Sequence, residues 1–311
     1  MIAVITINYN LSQETIPCVE SVLASTNRDI RIFLVDNGSR EEDYQNLVRA
    51  FGDHPLVEIL RIENNCGYVG GVNHGLTRAL EDKPEYFLVM NNDTVIDPQA
   101  VDHLVNAARR YNDRAIVTGM VYYFDKPDVI QHTGEIITDR RLIKTIAPGK
   151  NEVDTGQFNQ DLERDALDDV FWLLPAPVVE EVGLYCNYFF LYAEQGDYAL
   201  RAVKKGFKLV FTPRAKLWHK VSMTAGNGDT MSVPVCYWRG QGMFMLHFRH
   251  MKRFWFLLTT AEWFFNYGGK ALFKSGKARK CSLAMFRGYF WGFRWMLNKK
   301  PNDGRNPYLN S

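Results

Sequence analysis

This sequence predicts an open α/β sheet followed by a helical C-terminal extension. Three observations carry that expectation. Short β-branched runs alternate with segments of helical spacing through about the first 120 residues. Small polar or acidic residues recur where those runs end. From Cys236 onward the chain turns basic and aromatic, with 14 Lys and Arg against two Asp and Glu, and 19 of the 42 aromatic residues.

The elements follow in order. Ala3–Ile7 is a β-branched run, and Gln13–Ala24 has helical spacing through Ile16, Val19, Val22 and Leu23. Ile30–Val35 is strand-like and Glu41–Phe51 helix-like; Val57–Ile62 reads as a strand and Val72–Leu80 as a helix. Tyr86–Met90 is a strand. Pro98–Tyr111 is a helix with Asp97 as its cap and Pro98 in its first position. Ala115–Val121 closes the series. Apolar strands separated by helices at this rhythm predict a parallel sheet covered on both faces.

The middle is less regular. Tyr122–Pro148 reads as a hairpin or loop excursion, and the polar, acidic Gly149–Asp169 as a mobile loop. Regular patterning returns from Val178 to His219, with helical spacing at Tyr198, Leu200, Ala202 and Val203 and a strand at Lys208–Thr212. The tail has helical patches interrupted by Gly268-Gly269 and Gly276. Three parts are expected: residues 1–121 and 122–225 of one catalytic domain, and a helical extension over 226–311. The five cysteines form no CxxC, so neither a zinc site nor a disulfide framework follows and a reducing compartment is expected. The N-terminus lacks a signal-peptide pattern. The longest apolar run, near Phe254–Phe265, is too short to span about 30 Å of hydrocarbon.

In an open parallel sheet, ligands bind beyond the carboxyl ends of the strands. Those ends carry Asn8-Tyr9-Asn10, Asp36-Asn37-Gly38-Ser39, the stretch from Glu63 to Gly75, and Asn91-Asn92-Asp93-Thr94. Each alone reads as a turn, a loop or a cap. Together they make a site. The glycines would let backbone N–H groups approach a diphosphate at a helix N-terminus, although the spacing is not GxGxxG. Asp93 would share a divalent metal with substrate phosphates.

These motifs resemble the GT-A-fold inverting glycosyltransferases of the large bacterial family that includes rhamnosyltransferases. The likeness rests on Thr6–Asn10, Val35–Ser39, Asn65–Gly75, Met90–Thr94, Phe189–Ala202, Gly206-Phe207 and Pro213–Lys220, in the family's order over about 220 residues. It implies a GT-A (Rossmann-like) catalytic domain. Asn8, Asn10, Asp36, Gly67, Gly70, Asn73 and Asn92 would bind the nucleotide-sugar. Asp93, His219 and Asn91 would hold Mg2+ or Mn2+. Glu194 or Asp197 would be the catalytic base. The sequence departs from the family pattern at Gln195, where relatives often carry a second acid and which cannot accept a proton. It departs again at Asn91, the first position of the metal motif, and at Val170–Pro177, where relatives have a small-residue step.

The chemistry supports these assignments. Displacing a nucleoside diphosphate builds negative charge on the leaving group, which a divalent cation neutralises. A hydroxyl nucleophile needs a carboxylate to take its proton. The basic, aromatic tail suits an anionic membrane surface. It also suits nucleic acid by charge, but no nucleic-acid motif accompanies it. The expected partners are a nucleotide-diphospho-sugar donor and a glycan or polyprenyl-linked acceptor, met on the cytoplasmic face of the cell membrane in surface polysaccharide assembly. A catalytically impaired binding protein and a sugar-nucleotide pyrophosphorylase are the alternatives.

Overall fold

A computed structural model describes residues 1–139, 143–220 and 232–309. The expected border at 225/226 lies outside the described residues. The expected elements of the first half form in order: β1 (Ile2–Asn8), α1 (Ser12–Leu23), β2 (Ile30–Asn37), α2 (Glu41–Phe51), β3 (Val57–Ile62), α3 (Gly67–Leu80) and β4 (Tyr86–Met90). The helix α3 starts five residues before the expected Val72, so the glycine-rich stretch is helical and not a loop. A three-residue strand β5 (Thr94–Ile96) precedes α4 (Ala100–Arg110). Asp97 is not the cap, which is Gln99 two residues on: Asp97 Oδ1 accepts from Gln99 N at 2.8 Å, and its carbonyl accepts from Ala100 N.

The next elements are β6 (Ala115–Tyr123), β7 (Lys126–His132), β8 (Ile136–Asp139), β9 (Lys144–Ile146), β10 (Leu162–Glu163) and β11 (Phe171–Pro175). They are followed by α5 (Ala176–Val182), α6 (Glu194–Lys204) and β12 (Lys208–His219). The expected hairpin after β6 is present, because β6 pairs antiparallel with β7. The partition at residue 121 falls within β6, and the sheet continues across it. The main sheet runs β10-β12-β6-β11-β4-β1-β2-β3. It is mixed rather than parallel, since β11 runs antiparallel between β4 and β6. β12 extends past the expected Thr212. Its register shifts over Pro213–Ala215, and it then continues along β6 to His219, which also pairs with Thr94 of β5.

Strand alternation divides the core between two faces. Val4, Ile32, Leu34 and Leu88 face one side, against α1, α2 and α4. Ala3, Ile5, Phe33, Phe87 and Val89 face the other, against α3, α5 and α6. The extension joins this second face. It comprises α7 (Val233–His250), α8 (Arg253–Trp263), a π-helical turn at Phe264–Gly268, α9 (Gly269–Phe273) and α10 (Gly276–Asn298). Phe244 and Tyr289 are fully buried in the same core as Tyr198 and Trp172. Each such side chain contributes about 1.5–3 kcal/mol of burial. α7 and α10 cross at backbone contact, with Gly240 against the Met285 carbonyl and Gly288 against the Tyr237 carbonyl.

Candidate active site

The carboxyl ends of β1, β2 and β4 meet in a hydrogen-bonded relay. Asn92 Nδ2 donates to Thr15 Oγ1 at 2.7 Å, and that hydroxyl donates to Asn8 Oδ1 at 2.8 Å. Asn8 Nδ2 faces Asp36 Oδ1 at 2.9 Å, Ser39 Oγ at 3.0 Å and Asp43 Oδ2 at 2.7 Å. Asn8 and Asp36 are fully buried and directly paired in register across β1 and β2. Asn8 therefore organises the strand ends from inside. Asp36 Oδ2 is buried without a hydrogen-bond partner, with Arg61 Nε 4.0 Å away. Asn10 adopts a left-handed conformation and turns its Oδ1 to the Arg40 N–H at 2.8 Å. Beside it opens a cleft of about 590 Å3, lined by residues that include Asn10, Ser12, Arg40, Asp43 and Arg49.

The glycine-rich segment packs against the loop that leads into α6. Gly67 has φ +78°, and a Cβ there would lie 2.5 Å from the Phe190 carbonyl, so no other residue fits without rearrangement. Asn37 Nδ2 donates to the Gly67 carbonyl at 3.0 Å, which fixes the start of α3 to the end of β2. Gly70 lies one turn on, against Cys66. Asn73 points elsewhere. Its amide spans the backbone of Tyr185, with both bonds at 2.9 Å, and so ties α3 to the loop after α5.

The turn between β4 and β5 brings Asp93 to the end of β12. Asp93 Oδ1 lies 3.1 Å from His219 Nε2. His219 Nδ1 donates to Gln131 Oε1 at 2.7 Å, since an amide oxygen can only accept. That bond orients the imidazole so that Nε2 faces the Asp93 carboxylate. The donor set, one carboxylate and one oriented imidazole, fits a divalent ion completed by water and phosphate oxygens. Asn91 is half-buried two residues upstream, with its backbone N–H on the Val170 carbonyl at 3.0 Å. Among the described residues, no group of three or more His, Cys, Asp or Glu forms a closed metal cage.

Glu194 and Asp197 both fall in the first turn of α6, yet their surroundings differ. Asp197 is fully buried and uses both oxygens: Oδ2 accepts from Arg201 Nε at 2.9 Å, and Oδ1 from Arg249 Nε at 2.6 Å and His250 Nε2 at 2.8 Å. Burial alone would raise its pKa, but His250, Arg201 and Arg249 hold it down at about 2. Glu194 Oε2 is buried with no partner. Burial, and then the negative charge of Asp169, push this carboxyl well above the ordinary range. The two residues before it, Tyr192 and Ala193, have φ of 71° and 67°. Left-handed backbone at two consecutive non-glycine residues costs about 1–2 kcal/mol each.

Asp169, at the end of the expected mobile loop, lies close enough for its charge to act on Glu194. It is buried, and its Oδ2 accepts from the Tyr185 hydroxyl at 3.2 Å. Tyr185 in turn stacks on Tyr198 of α6 at 4.7 Å. Burial and the adjacent Asp168 raise the Asp169 carboxyl too. Two adjacent acids before an apolar run were the available signal. Thr15, Asp43 and Gln131 left none, because each acts through a contact formed only in the fold.

The Glycosyl transferase family 2 profile matches residues 3–171, more than half of the chain. The chain belongs to this family. Curated relatives agree with the assignment. GlyG, a glycosyltransferase of Streptococcus pneumoniae, is 27% identical over 41% of this chain and 41% of its own length. An N-acetylglucosaminyl-diphospho-decaprenol L-rhamnosyltransferase of Mycobacterium tuberculosis is 25% identical over 68% of this chain and 74% of its own. The galactofuranosyltransferase GlfT2 of Mycolicibacterium smegmatis is 23% identical over 65% of this chain and 33% of its own. The match thus spans less than half the length of GlyG and of GlfT2. A crystal structure of GalNAc-T7 with UDP, GalNAc and Mn2+ superposes with a TM-score of 0.63 over 96% of this chain and 57% of its own, at 13% identity. The family 2 chain therefore has the GT-A fold, with a helical C-terminal region.

Proposed function

We propose that this family 2 chain is a metal-dependent inverting glycosyltransferase. It moves a sugar from a nucleotide-diphospho-sugar, dTDP-L-rhamnose or a UDP-hexose, onto a saccharide or lipid-linked saccharide in surface polysaccharide assembly. The observation that carries this reading is Glu194 Oε2, buried without a hydrogen-bond partner beside Asp169, whose neighbour Val170 bonds Asn91 of the turn that carries Asp93. Once ionised, a carboxylate with a raised pKa is a stronger proton acceptor than the tethered Asp197, whose pKa is lowered. Glu194 takes the acceptor hydroxyl proton as the acceptor oxygen bonds to the anomeric carbon. The bond from that carbon to the diphosphate breaks on the opposite side, which inverts the centre. Asp93 and His219, with Asn91 beside them, would hold Mg2+ or Mn2+, which neutralises charge on the departing diphosphate. Asp36 Oδ2, buried without a partner, would accept from the nucleobase, and Asn10 and the cleft beside it would border that pocket.

The two mycobacterial relatives, named for L-rhamnosyl and galactofuranosyl transfer, support a deoxyhexose or hexose donor. The relative named for a diphospho-decaprenol substrate supports a lipid-linked acceptor. That acceptor gives the basic, apolar extension a membrane surface to meet on the cytoplasmic face. Among the described residues, no helix is long and apolar enough to cross a bilayer. Thermal shift against dTDP-rhamnose, UDP-glucose and UDP-galactose, with and without Mn2+, tests donor and metal together. One donor should raise Tm in Mn2+ and lose that effect in EDTA. No shift with any donor would overturn the reading.

A further inference from the structure

α7 belongs to the C-terminal extension, yet it touches the turn that presents Glu194 at three points. A Cβ on Gly242 would lie 2.1 Å from the Tyr192 carbonyl and 3.3 Å from Ala193 Cβ, so the helix backbone itself lies against the two left-handed residues. One turn and more further on, Leu246 packs against Gly196. At the C-terminal end of α7, Arg249 and His250 close on Asp197 at 2.6 and 2.8 Å, opposite Arg201 at 2.9 Å. Lys204 Nζ lies 3.1 Å from the other nitrogen of His250. The strained pair at Tyr192-Ala193 is thus held from behind by Gly242 and from the next turn by Asp197. Strain of this kind persists only where its surroundings over-determine it. We propose that α7 completes the catalytic site: Gly242, Arg249 and His250 are positioning residues that hold the Tyr192–Asp197 turn and so place Glu194. The proposal rests on Glu194 as the base, and it gives the extension a role in catalysis beyond any contact with a membrane.

Hydrogen exchange on the full chain tests the clamp without activity. In Arg249→Ala and Gly242→Ala, amides of residues 189–198 should exchange at least about tenfold faster, while β1, β2 and β4 stay unchanged. Arg249→Lys should recover part of the protection. With dTDP-L-rhamnose or UDP-glucose and Mn2+, nucleoside diphosphate release should then fall at least about tenfold in kcat with the donor KM unchanged. Unchanged exchange in 189–198, or equal acceleration in every strand, would overturn the clamp. So would faster exchange in the turn with wild-type kcat, or a loss confined to KM. If the wild-type chain turns over no nucleotide-sugar, the proposed function fails, while the exchange data still decide the clamp.

Discussion

The strand-end site and the outer C-terminal helices treat their side chains in opposite ways. At the strand ends, polar groups are inside and joined: Asn92, Thr15, Asn8 and Asp36 form one chain of hydrogen bonds. On α8, the π-helical turn and α9, large apolar groups are outside. Phe273 is 89% exposed, Phe265 75% and Leu272 75%. Arg253 and Lys270 are exposed on the same elements, and Lys252 and Lys274 at their ends. The charge divides likewise, with 23 basic and 33 acidic residues before Cys236 and 14 and two after it. A folded chain exposes apolar groups singly, and a contiguous apolar patch beside cations marks a surface that meets something else. Under the proposed function, the first region would hold one small ligand and the second would spread over a large anionic surface. α7 lies between them and packs on both.

The largest effect should come from the proposed base. Glu194→Gln keeps shape and removes proton acceptance, and kcat should fall about 10^3-fold while donor binding and Tm hold. Full activity in that variant would move the base elsewhere. Next is the proposed metal pair, Asp93 and His219. Asp93→Ala should cost about 10^2-fold in turnover and abolish Mn2+-dependent donor binding by thermal shift. Donor binding that ignores EDTA in the wild type would break the assignment.

Asp197 gives a smaller, pH-dependent effect. Its folded pKa of about 2 lies below the ordinary 3.8, so its contribution is present above about pH 4 and is lost as pH falls through about 2. That contribution is about 2 kcal/mol. Acid titration of Asp197→Asn should therefore show a flatter loss of stability between pH 4 and pH 2 than the wild type. The smallest effect sits at the surface. Phe265→Ser with Phe273→Ser should weaken flotation with anionic vesicles about tenfold and leave Tm unchanged. High salt should release the wild type as well. A wild type that never floats would reduce the extension to its packing role.

Most of the first four strands was legible because each is a β-branched run bounded by turn residues. β11 was missed because five residues ending in Pro175, followed by Pro177, leave little period to read. Its antiparallel direction depends on neighbours 54 and more positions away in the chain, such as Trp172 beside Thr118 and Phe171 beside Met90. The motifs located Glu194 and Asp197 together. They did not separate them, because what separates them is Arg249 and His250, more than 50 residues downstream. Asn73 was grouped with the donor-binding residues by its place in a motif. Its amide geometry ties it to Tyr185, a contact across 112 positions that no local pattern announces.

The reversed direction of β11 has a consequence for how such an enzyme can diversify. In a parallel strand, the loop that reaches the ligand edge follows the strand. In β11 it precedes it, so the segment from Gly149 to Asp169 arrives at the site from the opposite side of the chain path. Insertions or exchanges within that segment would remodel the neighbourhood of Glu194 while β1, β2 and their relay stay intact. Under the proposed assignment, acceptor choice and donor choice could then drift apart in evolution, and loop grafting before β11 would redirect one without disturbing the other.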